Sequence, residues 1–195
     1  MKNSFKRVLI KLSGESISSS TGEKFDFSIL DKLCNNMLNV FNSGINISLV
    51  VGGGNIIRGR DFQNNKSIKR ETADSIGMLS TVINGIIFRE ALYQRGIDCI
   101  IVSPLDLPFN INKLNPFIIN DLCNQNKIII FVGGLGLPYF STDTTAVVGA
   151  VLSQCDAILK ATKTDGIYDK DPNKYPDAKY LNNITYDYAL ENNRS

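Results

Sequence analysis

The chain has 195 residues, of which 43% are hydrophobic and 21% are charged, and its formal net charge is +2 at pH 7. This is the composition of an ordinary globular protein with enough chain to bury a sizeable core, and it offers no strongly basic surface of the kind that binds nucleic acid polymers. The sequence contains no histidine and no Cys-x-x-Cys pair, which argues against zinc sites and histidine-based acid–base chemistry. Because no apolar run approaches membrane-spanning length and no signal-peptide pattern opens the chain, we expect a cytoplasmic protein whose cysteines stay reduced.

The first predicted strand, residues 8–12, carries Lys11 between apolar neighbours and ends at Ser13 and Gly14. A charged side chain in such a strand is costly unless it points out at the strand's end. There it would supply a fixed cation for phosphate oxygens, whereas the alternative is a lysine on an edge strand. A serine-rich loop follows, and then a helix is predicted over residues 28–42.

The second strand, residues 45–51, has apolar side chains on both faces, which is typical of a parallel strand covered by helices. Three glycines, residues 52–54, follow it at once. Because glycine has no Cβ, its backbone can close on a phosphate group, and Arg58 adds a fork of donors that suits phosphate oxygens. The alternative is a tight turn followed by a solvated arginine.

A long helix is predicted over residues 71–95, with Gly96 as its stop. Asp74, in its first turn, would either compensate the helix dipole or accept hydrogen bonds from ribose hydroxyls. Gly77 leaves room for a ligand on the helix surface or for a close helix contact. The face predicted to pack inward consists of Ile76, Leu79, Ile83, Ile86 and Ile87.

After this helix, a strand is predicted over residues 99–102 and a loop over residues 106–115. A short helix is predicted to begin at Pro116. A third glycine-ended strand, residues 127–132, leads into GGLGLPYFSTD at residues 133–143. The last three residues of that segment cap a helix over residues 144–153.

The last predicted strand, residues 157–161, contains Lys160 near its end. Lysines, carboxylates and one aromatic side chain then gather around one turn, at Thr162, Lys163, Asp165, Tyr168 and Asp171. They would form either a solvated hairpin or a pocket for adenine and its phosphates. A final capped helix is predicted over residues 185–191.

The three glycine-ended strands, if parallel in one sheet, bring their turns to the same carboxyl edge, where open α/β folds bind ligands. The sequence therefore predicts a phosphate-handling enzyme. The glycine-rich turns at residues 52–54 and 133–136 do not continue as a dinucleotide fingerprint, so a standard nicotinamide-binding domain is not expected. No G-x-x-x-x-G-K-[ST] segment occurs, so a P-loop kinase is not expected either.

Five stretches resemble the amino-acid-kinase superfamily and, within it, the bacterial UMP kinases. They are KLSGE at 11–15, VVGGGNIIRG at 50–59, ADSIGMLSTVINGI at 73–86, PYFSTD at 138–143 and LKATKTDGIYDKDP at 159–172. The resemblance implies one α/β domain, a three-layer α/β/α sandwich around a mainly parallel sheet. Residues 1–155 would form the core and the UMP-binding part, and residues 156–195 the start of an ATP-binding lobe whose C-terminal part is missing.

The resemblance also implies transfer of the ATP γ-phosphoryl group to UMP, with Mg²⁺ carried by ATP near Asp143 and no other metal site. Lys11 would be the main cation on the transferred group, Asp143 would organise Lys11 or the metal, and Lys160 would be a second cation. ATP would contact Lys11, Leu12, Ser13, Gly14, Gly54, Arg58, Thr162, Tyr168 and Asp171. UMP would contact Gly53, Asp74, Leu135, Gly136, Leu137, Pro138, Tyr139, Phe140, Ser141 and Thr142.

Three positions depart from the family pattern: Ser75 stands in place of histidine, and Leu135 and Leu137 stand in place of threonine and asparagine. Lost polar partners in a recognition site would weaken UMP affinity or relax base discrimination. A catalytically impaired nucleotide-binding module and a kinase for a carboxylate or carbamate acceptor therefore stay open. The resemblance further implies a homohexamer, activation by GTP, inhibition by UTP and a place in pyrimidine nucleotide biosynthesis, without nucleic acid polymers or membranes as partners.

Overall fold

The structure is a computed structural model that describes residues 5–19, 21–57, 67–162 and 164–191. The chain divides into two compact units, Met1–Ala161 and Thr162–Ser195. Arg58 and Lys163, which the sequence singles out, lie outside the described residues.

A six-stranded sheet lies at the centre of the first unit, and every pair of neighbouring strands in it is parallel. Its strands are β1 (Arg7–Leu12), β2 (Asn46–Val51), β3 (Cys99–Ser103), β4 (Ile111–Lys113), β5 (Ile128–Phe131) and β6 (Ala157–Lys160). Their order across the sheet is β4-β3-β5-β2-β1-β6. Since β1, β2 and β5 are adjacent, the three glycine turns that follow them meet at one edge, as the sequence predicts.

Helices cover both faces of this sheet. They are α1 (Phe27–Asn42), α2 (Arg70–Tyr93), α3 (Pro116–Cys123) and α4 (Thr142–Leu152). Side chains of α1 and α2 pack with one face of the strands and those of α3 and α4 with the other, which gives two separate apolar clusters. The three-layer α/β/α sandwich around a parallel sheet is thereby confirmed.

Capping residues set the starts and ends of these helices. The side chain of Asp26 accepts hydrogen bonds from two amides at the start of α1, and Asn115 caps α3 ahead of a proline at the first helical position. Gly44 and Gly96, with φ angles of +84° and +78°, follow α1 and α2. Both glycines take the left-handed conformation that ends a helix.

Two short elements of the first unit were not predicted. The segment predicted as a loop, residues 106–115, contains β4, which pairs with β3 through Ile101 and Ile111. A strand of three residues is too short for an alternating pattern to be recognised. The loop predicted after β1 begins with a short 3-10 helix, Gly14–Ile17.

The inward face predicted for α2 is partly wrong. Leu79 and Ile83 are 49% and 46% exposed, while the buried positions of this helix include small and polar residues, among them Ser80, Thr81, Asn84 and Gly85. At Gly85 the helix lies too close to the sheet for a larger residue, since a Cβ there would lie 2.3 Å from Cγ1 of Val132. Ile86 and Ile87 pack against the core as predicted, whereas Ile76 is only half-buried.

Helix α2 is also the one helix in the described part of the chain that is long and apolar enough to cross a bilayer. Phe88 and Leu92 of this helix are fully buried in the apolar cluster against the sheet. The core helix of a globular protein can be as long and as apolar as a helix that crosses a bilayer.

The second unit contains strands β7 (Ile167–Tyr168) and β8 (Tyr180–Leu181), which pair antiparallel, and helix α5 (Tyr186–Glu191). The rings of Tyr168 and Tyr180 meet edge to face with their centroids 5.5 Å apart. An edge-to-face pair of this kind stabilises a short hairpin through packing between its strands.

Candidate active site

The first two glycine turns touch each other at the carboxyl edge of the sheet. A Cβ on Gly14 would lie 2.6 Å from the carbonyl oxygen of Gly52 and 2.6 Å from the nitrogen of Gly54. The N–H of Gly52 also donates to the carbonyl of Leu12 over 2.9 Å. Because only glycine permits this approach, the two turns form one continuous backbone surface.

The third turn joins the same edge through helix α2. The N–H of Gly133, which has a φ of +77°, donates to Oγ1 of Thr81 over 2.8 Å. The second turn contacts the preceding residue of the helix, since a Cβ on Gly53 would lie 2.6 Å from Cβ of Ser80. One turn of α2 therefore joins the second and third glycine turns.

Two lysines converge on one carboxylate beside these turns. Nζ of Lys11 lies 2.9 Å from Oδ1 of Asp143, and Nζ of Lys160 lies 3.2 Å from Oδ2 of the same residue. Lys11 is only 8% exposed and lies on an interior strand of the sheet, so the alternative of an edge-strand lysine is wrong. The three side chains together carry one net positive charge, which suits phosphate oxygens.

Helix α4 positions Asp143 in its first turn. Oγ of Ser141 accepts the N–H of Thr144 over 3.2 Å and so caps the helix. The positive end of the helix therefore points to the same edge of the sheet, where it favours anions.

The pKa of Asp143 is lowered, because the hydrogen bonds and charges of Lys11 and Lys160 outweigh the burial that would raise it. The carboxylate thus stays ionised at neutral pH. Its two ion pairs stabilise the fold above the unfolded-state pKa, and this contribution is lost as the pH falls through the lowered folded-state value.

We expect Asp143→Asn to be less stable than the parent protein at neutral pH, and the difference to shrink as the pH falls below about 4. The other carboxylates with lowered pKa are present in both proteins, so the difference isolates Asp143. Urea unfolding of both proteins between pH 3 and pH 7 measures it. A difference that stays constant across this range would contradict the ion pairing.

A cleft opens beside the charged cluster, between α2 and the segment that follows β5. It is lined by Gly53, Ile57, Ala73, Asp74, Gly77, Met78, Thr81, Gly134, Leu137, Phe140 and Thr142. Five of these residues were predicted to contact UMP: Gly53, Asp74, Leu137, Phe140 and Thr142. The predicted residues Leu135, Gly136, Pro138, Tyr139 and Ser141 lie outside the lining.

Helical spacing could have found two of the lining residues that were missed. Met78 and Thr81 lie four and seven residues after Asp74, and so share its face of α2. Asp74 and Gly77 were predicted as possible ligand contacts on this face, but the prediction did not extend to the next turn of the helix. Ile57, Ala73 and Gly134 carry no such signal.

Asp74 is bound to protein groups through both of its carboxylate oxygens. Its Oδ2 accepts the backbone N–H of Tyr139 over 2.8 Å and lies 3.3 Å from Nε of Arg70. Its Oδ1 lies 3.4 Å from the same Nε. An ionised carboxylate oxygen accepts more than one hydrogen bond, so Asp74 keeps acceptor capacity toward the cleft.

The residues predicted to bind the nucleoside of ATP lie in or beside the second unit. Thr162 is its first residue, Tyr168 belongs to its hairpin, and Oδ1 of Asp171 accepts the N–H of Asn173 over 3.0 Å. Their role in ATP binding stays a prediction.

The amino acid kinase family model matches residues 6–195 of this chain. The chain belongs to the amino acid kinase family. This membership agrees with the layered α/β/α fold around a parallel sheet.

Individual members of the amino acid kinase family are similar in sequence to this chain over almost its whole length. The uridylate kinase of Aliarcobacter butzleri is 41% identical over 189 residues, which cover 95% of this chain and 79% of that protein. The uridylate kinase of Campylobacter hominis is 39% identical, with 96% and 79% covered. The crystal structure of UMP kinase from Bacillus anthracis superposes with a TM-score of 0.93 at 32% identity, covering 98% of this chain and 79% of that one.

Proposed function

We propose that this amino acid kinase transfers the γ-phosphoryl group of ATP to UMP and releases UDP and ADP. One observation carries the chemistry: Lys11 and Lys160 converge on Asp143 beside two touching glycine turns and next to a cleft that Asp74 and Thr142 line. The similarity to uridylate kinases at about 40% identity supports UMP as the acceptor. The reaction belongs to pyrimidine nucleotide biosynthesis.

Phosphoryl transfer depends mainly on positioning and on stabilising charge, so it needs no histidine base. Lys11 is held nearly buried by its ion pair with Asp143, and a cation with little solvent around it interacts strongly with developing negative charge. Lys160 would place a second, half-exposed cation on the same side of the transferred group. The backbone amides of the two touching glycine turns would contact the phosphates of ATP.

Mg²⁺ would bind together with ATP and neutralise charge on its phosphates. Proteins commonly hold Mg²⁺ through one or two carboxylates and the substrate's own phosphates, and the described residues contain no cluster of three metal-ligating side chains. Asp143 is the residue that would hold the ion. Each of its oxygens bonds one lysine and keeps a further lone pair.

UMP would lie in the cleft with its ribose near Asp74 and its phosphate near Gly53 and Thr142. Thr142 directly precedes Asp143 in the chain, so this orientation directs the acceptor phosphate toward the lysine pair. Phe140 and Leu137 would cover the base.

Gly77 offers a direct test of this placement. A Cβ on Gly77 would meet no atom within 4 Å, so it is not a close helix contact. We expect Gly77→Ala to stabilise the protein by about 0.5 to 1 kcal/mol, because alanine favours a helix interior over glycine. Because Gly77 lines the cleft, the same change should raise the KM for UMP. If the variant is more stable but its KM for UMP is unchanged, UMP does not lie against this helix and the proposed placement is contradicted.

A homo-oligomer, which we propose to be a hexamer, fits the exposed apolar side chains of Leu79 and Ile83 on α2. Sedimentation velocity measures the assembly directly, and a monomer would contradict it. GTP activation, UTP inhibition and a cytoplasmic location are parts of the same proposal, and initial rates with each nucleotide added test the first two.

UDP formation from ATP and UMP in the presence of Mg²⁺ tests the function itself. UMP binding without product formation would instead indicate a catalytically impaired nucleotide-binding module. Turnover with a carboxylate or carbamate acceptor, and none with UMP, would indicate a different specificity. Either result would contradict the proposal.

A further inference from the structure

The segment from Gly133 to Ser141, here called the acceptor loop, contributes two exposed apolar side chains to the cleft. Leu137 is 57% exposed and Phe140 is 54% exposed. Side chains with so little surrounding protein do not fix a loop by packing. The backbone of the loop lies close to Met78 at Gly134 and to Pro104 at Gly136, and polar contacts hold the part that bears these two side chains.

Polar contacts bind the acceptor loop to α2 at both of its ends. At the start, Gly133 donates to Thr81 over 2.8 Å. Near the end, the N–H of Tyr139 donates to Asp74 over 2.8 Å, and the hydroxyl of Tyr139 donates to Oε1 of Glu71. The cleft lies between the two anchors.

The ring of Tyr139 belongs to the second anchor and not to the lining of the cleft. The guanidinium carbon of Arg70 lies 5.5 Å from the ring centroid, and Arg70 is also ion-paired with Asp74. Four side chains thus surround one contact between the loop and the first turns of α2: Arg70, Glu71, Asp74 and Tyr139.

The backbone of Tyr139 is strained, with a φ of +70°. A residue with a Cβ rarely adopts the left-handed conformation and keeps it only where surrounding contacts impose it. The amide, the hydroxyl and the ring of Tyr139 are each held by a residue of α2. Loss of one of these contacts would let the loop relax.

We propose that Tyr139 and Glu71 form a clamp that holds the acceptor loop in the conformation that receives UMP. Tyr139 is then a positioning residue that acts through Leu137, Phe140 and Asp74 without contacting the substrate. The clamp also fixes Oδ2 of Asp74 on the loop, while Oδ1, which lies 3.4 Å from Nε of Arg70, keeps a lone pair for the ribose. This inference rests on the function proposed above.

The ionisation of the pair agrees with this geometry. The hydrogen bond from Tyr139 lowers the pKa of Glu71, and the same bond raises the pKa of Tyr139. At neutral pH the carboxylate is therefore ionised and the phenol keeps its proton. A hydrogen bond between such groups is charge-assisted and stronger than one between neutral groups.

Tyr139→Phe tests the clamp, because it removes only the hydroxyl. We expect the KM for UMP to rise about fivefold to tenfold, the loss that a single hydrogen bond of this kind produces. The KM for ATP and kcat should stay within about twofold, since Lys11 and Asp143 are untouched. Steady-state kinetics with each substrate varied in turn separates these constants.

Variants of Glu71 complete the test. Glu71→Ala should raise the KM for UMP as Tyr139→Phe does, and the double variant should resemble either single variant, because both remove the same contact. Glu71→Gln keeps an acceptor oxygen and should restore part of the affinity. Tyr186→Phe makes the same chemical change at a side chain that is 91% exposed and should change nothing.

Three results would overturn the clamp: an unchanged KM for UMP in Tyr139→Phe, additive effects in the double variant, or equal losses in the constants for ATP and UMP. Amide hydrogen exchange of the acceptor loop without nucleotide gives a readout that is independent of turnover. Exchange should be faster in Tyr139→Phe than in the parent protein, and equal exchange would also overturn the clamp. If the parent protein does not phosphorylate UMP, the proposed function fails while this exchange measurement still decides the clamp.

Discussion

Replacing Lys11 by methionine is expected to lower kcat for UDP formation by about a hundredfold to a thousandfold, the usual loss when one preorganised charge-stabilising group is removed. Methionine has a similar length and no charge, so it fills the space of a side chain that is only 8% exposed. The KM for UMP should change little, because the lysine acts on the transferred phosphoryl group. Steady-state rates with saturating ATP and UMP measure the effect.

Lys127→Met is the matched control for this experiment. Nζ of Lys127 lies 2.7 Å from Oδ2 of Asp98, so this lysine is also ion-paired beside the sheet, but it directly precedes β5 at the opposite edge. We expect activity within about twofold of the parent protein, as for surface charges remote from a site. Near-normal turnover in Lys11→Met would contradict the assigned role, and equal losses in both variants would indicate a general effect of lost charge.

Replacing Gly14 by alanine is expected to lower the free energy of unfolding by about 1 to 3 kcal/mol, as overpacking usually does. The added Cβ would lie 2.6 Å from two backbone atoms, the oxygen of Gly52 and the nitrogen of Gly54. Backbone atoms cannot move aside as a flexible side chain can, so the two turns must separate. Because we propose that those turns bind the phosphates of ATP, turnover should fall as well. Urea unfolding and steady-state rates measure the two effects.

Gly54→Ala is the control for stability. It lies in the turn that Gly14 touches, but a Cβ there would meet only Glu15, with the nearest atom at 3.8 Å, which is an ordinary contact distance. We therefore expect a change of less than about 0.5 kcal/mol in the free energy of unfolding, as at sites without steric conflict. Equal destabilisation in both variants would show that the close approach at Gly14 is not what the fold requires.

The parallel sheet and the meeting of its glycine turns at one edge could be predicted because both follow from local patterns. Each of the strands β1, β2 and β5 is an apolar run that ends in glycine, and parallel strands place their ends at one edge. The structure adds that these strands are neighbours. Lys11 could be identified as a candidate functional residue from its local pattern, since a lysine in a buried strand is costly without a partner.

The buried face of α2 could not be predicted from apolar periodicity. The helix buries Asn84, whose Nδ2 donates to the carbonyl of Gly52 over 2.7 Å and to Oδ1 of Asn55 over 2.7 Å. These bonds satisfy buried polar groups of the second glycine turn. Small and polar residues that contact the turn therefore share the buried face with Val82 and Phe88, and Leu79 and Ile83 are left exposed.

The contact between Tyr139 and Glu71 also could not be predicted from the sequence. The two residues are 68 positions apart, and neither belongs to a motif in which one residue predicts the other. The sequence placed Tyr139 in the UMP site because of the segment that contains it. The structure directs its hydroxyl to α2, and the role of Tyr139 follows from that contact.

A crystal structure with UMP and a non-hydrolysable ATP analogue tests the central claim most directly. We expect the phosphates of the ATP analogue to contact Lys11, Gly14 and Gly54, and the UMP ribose to lie within hydrogen-bond distance of Asp74. The two reacting phosphates should then face each other beside Asp143. Nucleotides bound at another edge of the sheet, or phosphates out of reach of Lys11, would contradict the account.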